Sequence, residues 1–278
     1  MSPQTRFLPI LPDQHRAHGW RRHGGSAFAA RQPLVTVVLN ELTALAPVYP
    51  LAFARMPGGS HQLVALTGLH SADNLFVAPD GRWLAPYIPG QFRSYPFALA
   101  PLAAATPAKL MLCFDHGSGL YRESPDPQQG EERFFNDAGQ AGPFMAGLIE
   151  FLDATVKASA LTQRAVDALA DADLLVPWQW AADPQFPDAQ PLAGLYRINE
   201  PALNALKGPA LETLLQTRGL LVAYAQLLSM ARLGTLRDMH AARARAQSAT
   251  PATAPSIDAL FGEDKAGGTI SFAGLDKL

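Results

Sequence analysis

The chain has 278 residues, of which 48% are apolar and 17% charged, with a formal net charge of −2. That apolar fraction is enough for a sizeable core, and the near-neutral charge gives no electrostatic reason to seek nucleic acid or an anionic membrane. A single cysteine, Cys113, excludes an intramolecular disulfide and a cysteine-built zinc cage; within the apolar run LMLCFD it reads as a small buried hydrophobe.

The first 25 residues carry charges but no continuous apolar segment of the secretory kind, and FLPIL is broken by Pro9 and Pro12. No uninterrupted apolar run reaches the length of a bilayer-spanning helix, so the expected location is cytoplasmic, with no transmembrane segment. Residues 1–30 read as an N-terminal extension, 31–247 as the main domain and 248–278 as a tail. His15 and His18, with His23 nearby, could ligate a metal, but the cations of Trp20-Arg21-Arg22 oppose a divalent ion and only Asp13 supplies a carboxylate; no metal is expected.

Extended pieces with Pro and Gly punctuation then run to about Glu123. PLVTVVLN (33–40), HQLVALTGL (61–69), NLFVAPDGRW (74–83) and KLMLCFD (109–115) read as strands, the third carrying the turn Pro79-Asp80-Gly81. Asp115-His116-Gly117-Ser118-Gly119 lacks the strand-to-helix G-x-S-x-G context of a nucleophile elbow and reads as a turn.

Beyond Gly142-Pro143, apolar residues at Phe144, Leu148, Phe151, Leu152 and Val156 follow the helical period, continuing through Leu161, Ala165 and Leu169. LVPWQW (175–180) and PLAGLYRIN (191–199) suggest a hairpin that extends or packs on the sheet. Asn199-Glu200-Pro201 has the form of a helix start, and Lys207-Gly208-Pro209 interrupts that helix. A last helix carries Leu220, Leu221, Tyr224, Leu227, Leu228 and Ala231, and ends in arginines that suit the helix dipole. From Ser248 the composition predicts disorder to about residue 255. The apolar Ile257, Leu260, Phe261, Ile270 and Phe272 beyond it either return to the chain's own core or form a short motif docking on a protein partner. Together these elements predict an α+β fold: a mainly antiparallel sheet from the first half packed against helices from the second.

The sequence carries no P-loop, HExxH or G-x-G-x-x-G pattern, so neither a catalytic residue nor a cofactor is assigned. The densest chemistry lies in LFVAPDGRWLAPYIPGQFRSYPFAL (75–99), where Arg82-Trp83 and Arg93-Ser94-Tyr95 set guanidinium groups beside aromatic rings. One reading packs these aromatics on a sheet, with the arginines paired to acids at its rim. The other makes a ligand site: Arg82 and Arg93 hold an anion, Trp83 and Tyr95 stack, and Asp115 or Glu132 acts as acid or base.

In their order and spacing, PLVTVVLNEL with VYPLAF, the 75–99 stretch, LMLCFD, PFMAGLIEFLDATV, LLVPWQW, GLYRINEPALNAL and LLVAYAQLLSMARLGTL resemble the bacterial SapC family, from about Phe7 to Leu236. The resemblance implies a context, a surface-layer, envelope or uptake process, and supplies no catalytic residues. It suggests a non-catalytic accessory or adaptor protein that binds another protein. A small-molecule binder or enzyme using the Arg82–Phe97 region is the alternative.

Overall fold

A computed structural model describes residues 7–101, 110–178 and 192–248. The predicted disorder after Ser248 and the tail residues Ile257, Leu260, Phe261, Ile270 and Phe272 lie outside the described residues. In chain order the N-terminal part runs β1 (Phe7–Pro9), α1 (Pro12–His15), β2 (Gly19–Arg21), β3 (Leu34–Thr36), α2 (Leu42–Leu45), β4 (Leu51–Arg55) and β5 (His61–Leu66). It continues through α3 (Gly90–Arg93), β6 (Phe97–Pro101), β7 (Leu110–Asp115), β8 (Tyr121–Arg122) and β9 (Glu131–Arg133). Then follow α4 (Pro143–Asp171), β10 (Leu175–Pro177), β11 (Leu195–Ile198), α5 (Glu200–Ala205), α6 (Pro209–Gln216), α7 (Gly219–Ser229) and α8 (Leu233–Ser248).

The expected α+β architecture is present, with antiparallel pairing throughout, but the strands divide among three sheets. A five-stranded sheet has the order β10-β11-β4-β5-β3, and two three-stranded sheets have the orders β1-β7-β6 and β8-β2-β9. Leu51, Ala52 and Phe53 of β4 and Leu63 to Leu66 of β5 are all buried, as central strands covered on both faces must be. α4 packs on β5, while α7 packs on β4 and β11.

Two buried side chains fix α7 to that sheet. Gln226 Oε1 accepts from the Ile198 N–H at 3.1 Å and its Nε2 donates to the Leu51 carbonyl at 3.2 Å. Ser229 Oγ accepts from the Leu51 N–H at 2.9 Å. Both backbone groups of Leu51 are therefore satisfied by the helix rather than by a neighbouring strand, as burial requires. The continuous helical run Gly219–Ala246 is nonetheless long and apolar enough, by length and composition, to cross a membrane, against the expectation that no segment would be.

Several expectations need correction. The strand at 33–40 is confined to Leu34–Thr36 at the sheet edge: the Val37 N–H still reaches the Leu63 carbonyl at 3.0 Å, and the Leu39 N–H then turns to Thr162 Oγ1 at 2.9 Å. Residues 74–83 form a pinned loop instead of a strand. Asn74, fully buried, donates to the Ala29 carbonyl, and the Pro79-Asp80-Gly81 turn closes with Ala78 N–H on the Arg82 carbonyl at 2.9 Å. The 175–198 hairpin does extend the sheet, Leu175 facing Ile198. Residues 7–21, read as part of an extension, supply two strands: Phe7 faces Asp115 and Trp20 faces Glu132.

Residues up to His240 form one compact unit and those from Ala241 a second. The first holds two hydrophobic clusters. The larger gathers β3 to β5, β11, α7 and the distal half of α4 through Ala165, Val166 and Leu169. The smaller is aromatic, built from Trp20, Phe97, Phe114 and Phe134, and is sealed by Met145, Leu148 and Leu152 from the proximal half of α4.

Candidate functional site

The 82–97 stretch separates into three environments. Arg82 is exposed and is consumed by its own turn: its Nε donates to Asp80 Oδ2 at 2.6 Å and its N–H to Asp80 Oδ1 at 3.0 Å. That bond holds the Asp80 carboxyl below its ordinary range and raises the guanidinium of Arg82. Trp83 turns the other way, its Nε1 donating to Tyr49 Oη at 3.1 Å and to the Tyr87 carbonyl at 3.2 Å, with Phe76 and Phe92 against its ring. Burial pushes the Tyr49 phenol up. Neither Arg82 nor Trp83 meets the other proposed site residues; they support the fold.

Arg93 belongs to a second environment centred on Glu41, a buried carboxylate in the turn before α2. Glu41 Oε1 accepts from Tyr87 Oη at 2.6 Å, from the Gly90 N–H at 2.8 Å and from Arg93 Nη2 at 3.1 Å, and Arg93 Nη2 also donates to Tyr87 Oη at 2.9 Å. Burial first, then the Glu41 bond and charge, pushes the Tyr87 phenol up to about 12. Gly90 lies close here: a Cβ would sit 2.8 Å from Glu41 Oε1, so any side chain would have to displace that carboxylate. The planar guanidinium of Arg93 then lies over Phe151 of α4, 4.9 Å from the ring centroid, and 5.1 Å from that of Tyr87.

Tyr95 occupies the third. It stacks on Phe28 with ring centroids 4.0 Å apart, and its Oη donates to Asp115 Oδ2 at 3.3 Å. Burial, followed by the Asp115 charge, pushes this phenol up to about 12. Asp115, itself buried at the end of β7, also accepts the Gly117 N–H at 2.9 Å and so caps the following turn. Glu132 is committed to Arg22, whose Nη2 and Nε approach its Oε1 at 2.7 and 2.8 Å. Each proposed acid or base thus has a structural partner.

Two adjoining cavities use what remains. One, of about 380 Å³, is walled by Arg93 and by Pro143, Phe144, Gly147, Leu148 and Phe151 of α4. The other, of about 210 Å³, shares Arg93, Phe144 and Leu148 and adds Trp20, Arg22, His23 and Tyr95 among its walls. Arg22 lies over Phe144, 4.5 Å from the ring centroid. An apolar helical wall therefore faces a basic, aromatic rim. Of the sequence-predicted residues, Arg93 and Tyr95 line this groove; Asp115 stands behind Tyr95.

Sequence reasoning did not assign Trp20, Arg22, Phe144, Gly147 and Phe151 to the site. Their signals were present: a Trp-Arg-Arg run, and Phe144, Gly147 and Phe151 along one helical stripe. His15 and His18 lie apart from the groove, at Tyr121; His23 joins its wall with Nδ1 donating to the Gly25 carbonyl at 2.8 Å. Among the described residues no group of three His, Cys, Asp or Glu is placed to hold a metal. Cys113 is buried, and that burial raises its thiol above the ordinary range.

Compared with known proteins, residues 11–236 match the model of one family, SapC. No curated protein and no solved structure matches the chain.

Proposed function

This chain belongs to the SapC family, and on that premise we propose that it is a non-catalytic cytoplasmic accessory protein in a cell-envelope, surface-layer or uptake process, with a protein partner, and that it works there by holding a small anionic molecule in the Arg93 groove. One observation carries the binding reading: Arg93 and Arg22 border a shared cavity, while Asp115 and Glu132 are engaged in a turn cap and an ion pair. Cations beside an apolar wall recognise an anion; a reaction also needs a proton acceptor within reach of the reacting atom.

The test screens full-length protein against small carboxylates, phosphates and sulfonates by thermal shift, with each compound followed by NMR. The expected result is stabilisation by at least one class, absent in Arg93→Ala, with the compound recovered unchanged. Conversion of the compound would overturn the non-catalytic reading, and a panel without any Arg93-dependent shift would overturn binding at this groove. Cell fractionation checks the compartment: recovery only with the envelope would overturn the cytoplasmic location.

A further inference from the structure

Resting on that binding reading, we propose that the ligand is an apolar monocarboxylate, its hydrocarbon or aryl body lying over Gly147 of α4 and its carboxylate held between Arg22 and Arg93.

The apolar half is built by one helix. Phe144, Gly147 and Phe151 follow one another at i, i+3 and i+7, so two phenyl rings stand on one stripe about 10 Å apart along the axis, with a residue lacking a side chain between them. A Cβ at Gly147 would meet nothing within 4 Å. The gap is open space, not a close approach of two backbones, and its walls are apolar.

The polar half limits the charge the groove can take. Each ring is faced by a guanidinium, and each guanidinium is already neutralised by a carboxylate, Arg22 by Glu132 and Arg93 by Glu41. Among the described residues, Nη1 of both arginines has no acceptor. Trp20, 3% exposed, contributes its indole ring to this end of the groove, 5.3 Å from Phe144 between ring centroids. The start of α4 adds a partial positive charge, since Gly142 brings no side-chain acceptor to cap it. These unfilled donors suit the two oxygens of one carboxylate. A phosphate dianion would bring more negative charge than two already paired arginines can offset, and an ammonium would bring the wrong sign.

Isothermal titration of full-length protein with decanoate and 3-phenylpropionate tests this, with acetate, decylamine and inorganic phosphate as comparisons. Decanoate and 3-phenylpropionate are expected to bind, and the three comparison compounds at least tenfold more weakly. Arg22→Ala and Arg93→Ala should each weaken carboxylate binding by tenfold or more. Gly147→Leu should abolish it while thermal unfolding stays at or above that of the parent, because the added side chain occupies the gap and favours the helix. Equal binding of decylamine, acetate or phosphate would overturn the assignment, as would undiminished binding in Gly147→Leu. If another anion class binds in an Arg93-dependent way and both carboxylates do not, the ligand class falls and the binding reading stands; if no anion does, both fall.

Discussion

Replacing Glu41 tests whether Arg93 is set by a buried carboxylate. In Glu41→Ala the Gly90 N–H, buried at the start of α3, loses its acceptor, which costs about 1–3 kcal/mol. Tyr87 loses a charged acceptor at 2.6 Å, worth about 1.5–3 kcal/mol before allowance for its partial exposure. The Arg93 contribution is small, below about 1 kcal/mol, because that side chain is 42% exposed and screened by water. A total near 3 to 5 kcal/mol is expected, lowering Tm by on the order of 10 °C. Glu41→Gln retains an acceptor oxygen and should lose only about 1–2 kcal/mol. Urea unfolding with an unchanged m value provides the measurement. A loss below about 1 kcal/mol for Glu41→Ala, or equal losses for the two variants, would show that the carboxylate is not what fixes this corner.

The α7 anchor gives a second case: Gln226→Leu leaves the Ile198 N–H and Leu51 carbonyl without their helix partner, and should cost about 2–4 kcal/mol by the same denaturation assay. Gly147→Ala should stabilise by about 0.5–1 kcal/mol, since a helical glycine with open space at Cβ gains propensity without a clash. Tyr87 and Tyr95 have phenols raised from 10.0 to about 12, so their contribution to stability is complete below pH 10 and is lost as pH rises from there through about 12; spectrophotometric titration paired with urea midpoints follows both. Separate expression of the chain cut near residue 140 should yield no stable monomeric half, as sedimentation and circular dichroism would reveal, because the cut strips α4 from both clusters.

What could be read from the sequence was local. The helical spacing of Phe144 to Leu169 lies within α4, Asn199 caps α5 by accepting the Ala202 N–H at 3.3 Å, and Gly208, at φ +64°, separates α5 from α6. β4 carries no polar period to detect, because Leu51, Ala52 and Phe53 are buried on both faces before the strand ends at exposed Arg55. β1 and β2 have three residues each and exist only through partners about a hundred positions away, which no local pattern encodes. The same limit applied to the candidate site. Arg93 and Tyr95 were visible beside aromatics, but Arg82 and Trp83 looked equivalent to them until Asp80 and Tyr49 proved to be their partners. The other wall of the groove came from a helix fifty residues further on.

That helix explains where the groove lies. α4 has 29 residues, a span of about 43 Å, and is too long to be buried against a single sheet of this size. Its distal half packs on β5 and is selected for small and branched residues, Ala165, Val166, Ala168 and Leu169. Its proximal half reaches the aromatic cluster, which covers only the stripe of Met145, Leu148 and Leu152. The adjoining stripe, Phe144, Gly147 and Phe151, meets the sheets only at its start, where Phe144 lies 5.3 Å from Trp20 of β2 between ring centroids, and its rings are covered by guanidinium groups from α3 and from the residue after β2. Arginine can lie flat on a ring while keeping edge donors in water, whereas an aliphatic cover would close the space. A helix shared by two cores thus leaves one apolar stripe roofed by cations, and the absence of a side chain at Gly147 keeps that space open to a guest.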